Sequence, residues 1–184
     1  MVANGDLNDN VESPPGVAVA ILGGFRSLVA DLWWVRAYGD WSRRDEVAMR
    51  QNLGWVGRVD PRPVGYWING ARMIGYDGTA WRHENRRNGM ELAGTPPLAA
   101  ALIHLEQAQR HHPRDVNLVF EEVMMRWRLG RDREGALAVL VRAESCSDVP
   151  YYVGRLRGEL LVQLGRPEEA LAWLVAYRLT MRGP

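Results

Sequence analysis

The sequence predicts an all-α fold: a right-handed α-solenoid of about four helical hairpins, with a loop insertion in the second. Two observations predict it. First, Leu164-Gly165-Arg166-Pro167-Glu168-Glu169-Ala170-Leu171-Ala172-Trp173-Leu174 repeats the pattern of Leu129-Gly130-Arg131-Asp132-Arg133-Glu134-Gly135-Ala136-Leu137-Ala138-Val139-Leu140. Ala136 and Ala170 lie 34 residues apart and Gly130 and Gly165 35 apart, which places one extra residue in the earlier turn. Second, each copy reads as a helix, a Gly-containing turn and an amphipathic helix. Leu137, Leu140 and Val141, or Leu171, Leu174 and Val175, then fall on one face. Self-similarity of this length marks stacked supersecondary units.

The 184 residues suffice for one domain or one short repeat array. Twenty-three basic residues face 22 acidic ones, so the net charge of +1 exerts no long-range pull on nucleic acid or anionic lipid. Every basic residue is Arg, which excludes a P-loop lysine, a Schiff-base lysine and a lysine general base. The single cysteine, Cys146, excludes an intrachain disulfide and a multi-cysteine zinc site.

In chain order, residues 1–16 carry Asp6, Asp9 and Glu12 but no basic residue, and read as a disordered lead-in with Pro14, Pro15 and Gly16. A secretory signal would need a positive start. The apolar run Val17 to Phe25 has nine residues, half of what a membrane span needs. It reads as the start of a buried helix, with an interfacial or truncated anchor as the alternative. Residues 17–184 read as one helical repeat domain.

The landmarks that follow resemble the tetratricopeptide repeat (TPR), a 34-residue helix–turn–helix unit with an aromatic fourth place, small eighth and twentieth places and a late proline. A unit over about 30–63 has Trp33 fourth, Ala37 eighth and Pro61 thirty-second. The next, about 64–115, opens with Trp67 and Ala71 in those places and counts back from Pro113 to Ala101, Leu105 and Ala108. Units over about 116–150 and 151–184 place Gly130 and Gly165 fifteenth, Gly158 eighth and Ala170 twentieth. Met49, Val119 and Gly154 depart from the family's residue types. The stretch from Phe25 to Ala37 is also similar to an uncharacterised bacterial group of TPR-like proteins, whose longer members carry an upstream hydrophobic anchor.

In the second unit Trp67 and Pro113 lie 46 residues apart, against the roughly 28 that the repeat implies. About 18 residues are therefore inserted between its two helices, near Thr79 to Pro96. This 79–96 insert reads as a cap over the array, part of a binding site or a disordered segment.

The resemblance also implies a concave groove lined by fixed places of each first helix. Carried onto this sequence, those places hold Asp31, Trp34, Tyr38, Trp41 and Ser42, then Ile68, Arg72, Gly75 and Tyr76. They continue with Asn117, Phe120, Met124, Trp127 and Arg128, and end with Tyr152, Arg155 and Glu159. Asn69 joins Arg72 as a candidate contact, because the run Trp67 to Asp77 sets two Gly, an Asn and an Arg against helix preference. Aromatic and Arg side chains concentrate binding energy, and Arg72, Arg128 or Arg155 could fork a carboxylate. The competing reading is that single tryptophans fill the core between repeats.

Candidate chemistry is sparse. His111-His112 diverge on a helix, and His83-Glu84 lacks the second histidine of a zincin motif. His104 reads as a satisfied, half-buried histidine. Ser145-Cys146-Ser147 has no nearby base. Glu121-Glu122 and Glu168-Glu169 read as helix starts or solvated faces, and Gly23-Gly24 lacks dinucleotide-loop spacing. No cofactor, metal or catalytic residue is predicted. The expected function is a non-catalytic scaffold holding a peptide or protein segment. Alternatives are an RNA-binding helical repeat, against which the neutral charge argues, and an enzyme using the insert with His83 and Asp77. A cytoplasmic location is the default, with membrane association through the N-terminal region as the alternative. Self-association through the last pair (Trp173, Tyr177) is a further expectation.

Overall fold

The computed structural model describes residues 15–90, 92–143, 146 and 149–181. The expected lead-in lies outside them, except that Pro15 and Gly16 open the first helix. The described residues form helices joined by short turns, with no strand. The first hairpin is α1 (Pro15–Ser42) and α2 (Glu46–Val59). The second is α3 (Val64–Arg72), a π-turn (Met73–Asp77), α4 (Gly78–Arg87) and the returning α5 (Pro97–His111). The third is α6 (Val116–Met124), a second π-turn (Met125–Leu129) and α7 (Arg133–Ala143); the fourth is α8 (Tyr151–Gln163) and α9 (Pro167–Met181). Within each hairpin the outgoing helix packs on the returning one. Between hairpins α3 meets α2 and α6, while α7 meets α8. The chain is an all-α solenoid.

Local chemistry sets these boundaries. The carboxylate of Asp45 accepts from the Ala48 amide, and that of Asp115 from the Asn117 and Leu118 amides, satisfying otherwise orphaned donors. Pro63, Pro96 and Pro150 stand just before α3, α5 and α8. The turns of the first, third and fourth hairpins each close through one left-handed residue: Arg44 (φ 57°), Arg131 (φ 54°) and Gly165 (φ 75°).

That residue corrects the repeat alignment. Gly165 corresponds to Arg131, one period of 34 earlier in the chain's numbering, and not to Gly130, whose φ is −81°. After Arg44 and Gly165 the next amide bonds to a carbonyl five residues back (Asp45 to Asp40, Arg166 to Leu161); after Arg131 it reaches six back, from Asp132 to Arg126. The extra residue therefore sits in the π-turn of the outgoing helix rather than in the connecting turn.

Two apolar clusters fill the stack. One gathers Met49, Leu53, Leu105, Leu118 and Met125; the other Val123, Leu140, Val153 and Leu160. Gly154, which stands where the repeat has an aromatic, is filled from across the hairpin. A Cβ there would lie 2.3 Å from the Tyr177 ring, and the Trp173 indole donates to the Gly154 carbonyl at 2.9 Å. Trp173 and Tyr177 thus pack on their own hairpin. The exposed large apolar residues described on α9 are instead Leu171, Leu174, Val175 and Leu179.

Two further expectations are revised. The first half of the insertion, residues 79–87, is a helical extension rather than a loop. The backbone stays right-handed helical from Arg72 through Gly78, and residues 78–87 continue the outgoing helix. This rod is tied to the first hairpin. Arg82 donates to the buried Glu46 at 2.9 Å, Arg44 pairs with Glu84 at 2.7 Å, and Arg50 bonds Glu46 and the Thr95 carbonyl. Nor is the start of α1 buried where it is described, since Phe25 is 62% exposed.

Candidate functional site

The outgoing helices α1, α3, α6 and α8 stand side by side, joined by side chains that cross from one to the next. Trp34 stacks on Tyr66 (centroids 5.0 Å apart), whose hydroxyl donates to Asp31. The Trp41 indole donates to Asp77 at 2.7 Å. Arg72 reaches Glu121 through Nε (3.0 Å) and Nη2 (2.6 Å), and Phe120 meets Tyr152 edge to face at 5.2 Å. In the second to fourth hairpins the third residue of the outgoing helix, Tyr66, Leu118 or Val153, packs on the hairpin before it. Three recurrences of one register make a repeat. The fold is tetratricopeptide-like.

The predicted site residues divide between two places on this TPR-like wall. Phe120, Met124, Trp127, Arg128 and Arg155 line one cleft of about 450 Å³ between α6 and α8, together with Tyr151, Tyr152 and Glu159. Trp127 forms its buried floor, its indole donating to Gln163 at 3.0 Å while Arg128 lies 4.4 Å above the ring. Arg128 and Arg155 are exposed, and neither joins an ion pair among the described residues. Asn117 is exposed one turn before Phe120.

The remaining residues lie on the α1–α3 part of the wall. Trp34, Trp41 and Tyr76 are half-buried and pack against the first apolar cluster. Tyr38 is exposed and stacks on Trp41 at 5.2 Å, and Asn69 is exposed on α3. Burial pushes the Tyr76 phenol up, as does Glu121, while Arg72 and Arg128 oppose this. Arg72 is not available to fork a partner's carboxylate, because Glu121, 3% exposed, already occupies it.

The groups weighed for chemistry are scattered. His83 is exposed on α4; His111 stacks on Trp67 at 5.9 Å; His112 Nε2 lies 2.7 Å from the Pro61 carbonyl. Burial pushes the Cys146 thiol up, away from the reactive thiolate; Ser145 and Ser147 lie outside the described residues. His104 is buried rather than half-buried. It packs 4.8 Å from Trp67, its Nε2 has no partner among the described residues, and desolvation lowers it to about 4. Among the described residues no cluster of three His, Cys, Asp or Glu could hold a metal ion, and no helix is long and apolar enough to cross a membrane.

Sequence reasoning missed the buried acidic pair of α6, of which Glu121 faces α3 and Glu122 the returning helices. Glu121 and Glu122 are both buried, not solvated. Glu122 accepts from Gln109, Arg126 and Arg142 at 2.7–2.9 Å. The signal was present in the four-residue spacing of Glu122 and Arg126, which puts opposite charges on one helix face.

No family model matches the chain, and no curated protein matches it. Among solved structures it is similar to the crystal structure of a thermophilic TPR protein of Thermus thermophilus. That likeness has a TM-score of 0.48 and 23% sequence identity, and covers 79% of this chain and 70% of the other. It is the register of the hairpins themselves, rather than this likeness, that makes the fold TPR-like.

Proposed function

We propose that the chain is a non-catalytic scaffold that holds a segment of another protein against the wall of outgoing helices, with the α6–α8 cleft as its principal anchor. One observation carries this reading. In an array whose buried carboxylates are matched by arginines, Arg128 and Arg155 stand outside any ion pair among the described residues, beside an open aromatic cleft. Such a cleft suits an apolar or aromatic side chain flanked by an acidic group. The rings bury area at little entropic cost, and the guanidinium groups supply charge-assisted hydrogen bonds. Trp34, Tyr38, Trp41, Asn69, Tyr76 and Asn117 extend the surface along the same wall and contribute complementarity more than anchoring.

Peptide arrays carrying acidic and aromatic residues, followed by anisotropy titration of the binders, test this. Removing two charge-assisted bonds is worth roughly 3 kcal/mol, so Arg128→Ala with Arg155→Ala should weaken capture about a hundredfold with no change in melting temperature. Undiminished capture by that variant would remove the cleft from the reading. Preference for single-stranded RNA, falling steeply with salt, would favour the nucleic-acid alternative.

A further inference from the structure

Beyond the groove, α1 carries a face with no partner among the described residues. Phe25, Leu28, Leu32 and Val35 are 62%, 55%, 60% and 66% exposed. Their spacing of three, four and three residues is the a/d pattern of a helix that packs along another helix. In sequence Ile21 and Ala18 continue it upstream, and Gly39 and Ser42 end it downstream. The opposite face is occupied by the chain itself. Ala30 and Ala37 are fully buried, Ser27 donates to Asp60, and Trp34 and Trp41 bond or stack onto the second hairpin. The open face is also the stacking face of the repeat. Leu32 holds the third place, whose counterparts Tyr66, Leu118 and Val153 each pack on a preceding hairpin.

We propose that a second copy of this chain covers this face, the two α1 helices running parallel with Phe25, Leu28, Leu32 and Val35 as their seam. Charge selects both the occupant and the direction. With Phe25 and Leu32 at a and Leu28 and Val35 at d, Asp31 falls at g and Arg36 at the following e. In a parallel pair a g residue faces the e residue five places on in the partner, so Asp31 meets the partner copy's Arg36, and the symmetry repeats the contact. An antiparallel pair centred on this seam would set Asp31 against Asp31 and leave Arg36 facing no acid. A membrane surface fits less well. An interfacial helix keeps a basic face toward water, whereas here the opposite face is core and the flank carries Asp31. The body of each copy lies on the far side of α1, so nothing among the described residues blocks the approach.

Sedimentation equilibrium on the full chain should give twice the chain mass. Leu28→Glu with Leu32→Glu should give a single-chain mass with unchanged helix content. Arg36→Glu, which places an acid opposite Asp31, should weaken the dimer about tenfold. In a Cys146→Ser background, Leu28→Cys should cross-link to itself on mild oxidation, which only a parallel, in-register seam permits. A monomer at every concentration overturns the proposal. So does a dimer that survives the double glutamate variant, which would move the contact to another face such as α9. Binding to phosphatidylglycerol vesicles without dimerisation overturns it too, as does an Arg36→Glu dimer of full strength.

Discussion

Replacing Arg72 by alanine separates a binding arginine from a structural one. Glu121 is 3% exposed and receives both of its side-chain hydrogen bonds from Arg72. Deleting the guanidinium leaves a buried carboxylate without its cation. Breaking a fully buried pair costs about 3–5 kcal/mol. The Arg72 side chain is itself 54% exposed, so water can reach part of the gap, and about 2–3 kcal/mol is the better figure once that screening is allowed for. For a chain of this size that lowers the melting temperature by roughly 5–10 °C. The deficit is that of an uncompensated buried charge, so a neutral isostere tests its cause. Adding Glu121→Gln to Arg72→Ala removes the charge and should recover much of the loss. Thermal melts of the three chains followed by circular dichroism decide the matter. An Arg72→Ala chain that melts like wild type, or a double variant no more stable than Arg72→Ala, would refute the reasoning.

Three further outcomes can be checked with the same melts or with proteolysis. His104 is held near 4 when folded against 6.5 when unfolded. Below 6.5 the unfolded chain takes up a proton that the folded chain refuses, so stability should fall between those values by roughly 3 kcal/mol. His104→Leu should remove that much of the slope, and equal slopes would contradict it. Arg131 holds a left-handed backbone with φ 54°, so Arg131→Gly should raise stability by about 1 kcal/mol, and a lower melting temperature would count against the turn assignment. Arg82→Ala removes the cation that links the inserted rod to Glu46. Trypsin should then cut after Arg86 or Arg87 several-fold faster, and unchanged cleavage would show that the rod does not depend on that contact.

Hairpin four was legible because its turn obeys local rules. Gly165 supplies the left-handed residue, and Pro167 starts the next helix. Hairpin three misled because Arg131 takes that backbone conformation although glycine stands beside it, and the neighbouring Gly130 drew the alignment off by one. The length of the insertion could be counted from Trp67 to Pro113, but its form could not. The 79–96 insert reads as loop, yet residues 79–87 lie inside a helix held by distant partners, Glu46 and Arg44. The aromatic places fell on the wall because the period fixes which face each residue takes. Which arginine was committed did not follow from the period. That depended on Glu121 being buried 49 residues away in sequence, a pairing that no local pattern encodes.

The two π-turns explain how an array with a 34-residue period accommodates the mismatch without losing its wall. They occupy the same place in the second and third hairpins, 10–14 residues into each unit. A single π-turn would rotate one helix against its neighbours and break the side-chain contacts between them. Here the turns lie against each other. Gly75 in the first leaves room for the Met125 thioether of the second, whose sulfur would lie 3.4 Å from a Cβ at that position. The two turns therefore stand side by side where α3 and α6 end, just past the crossing of Arg72 to Glu121. Their contact also brings the Tyr76 phenol within the field of Arg128, joining the half-buried aromatic end of the wall to the open cleft. A groove that ran only from α6 to α8 would need none of this matching; one that continues across α3 to α1 does.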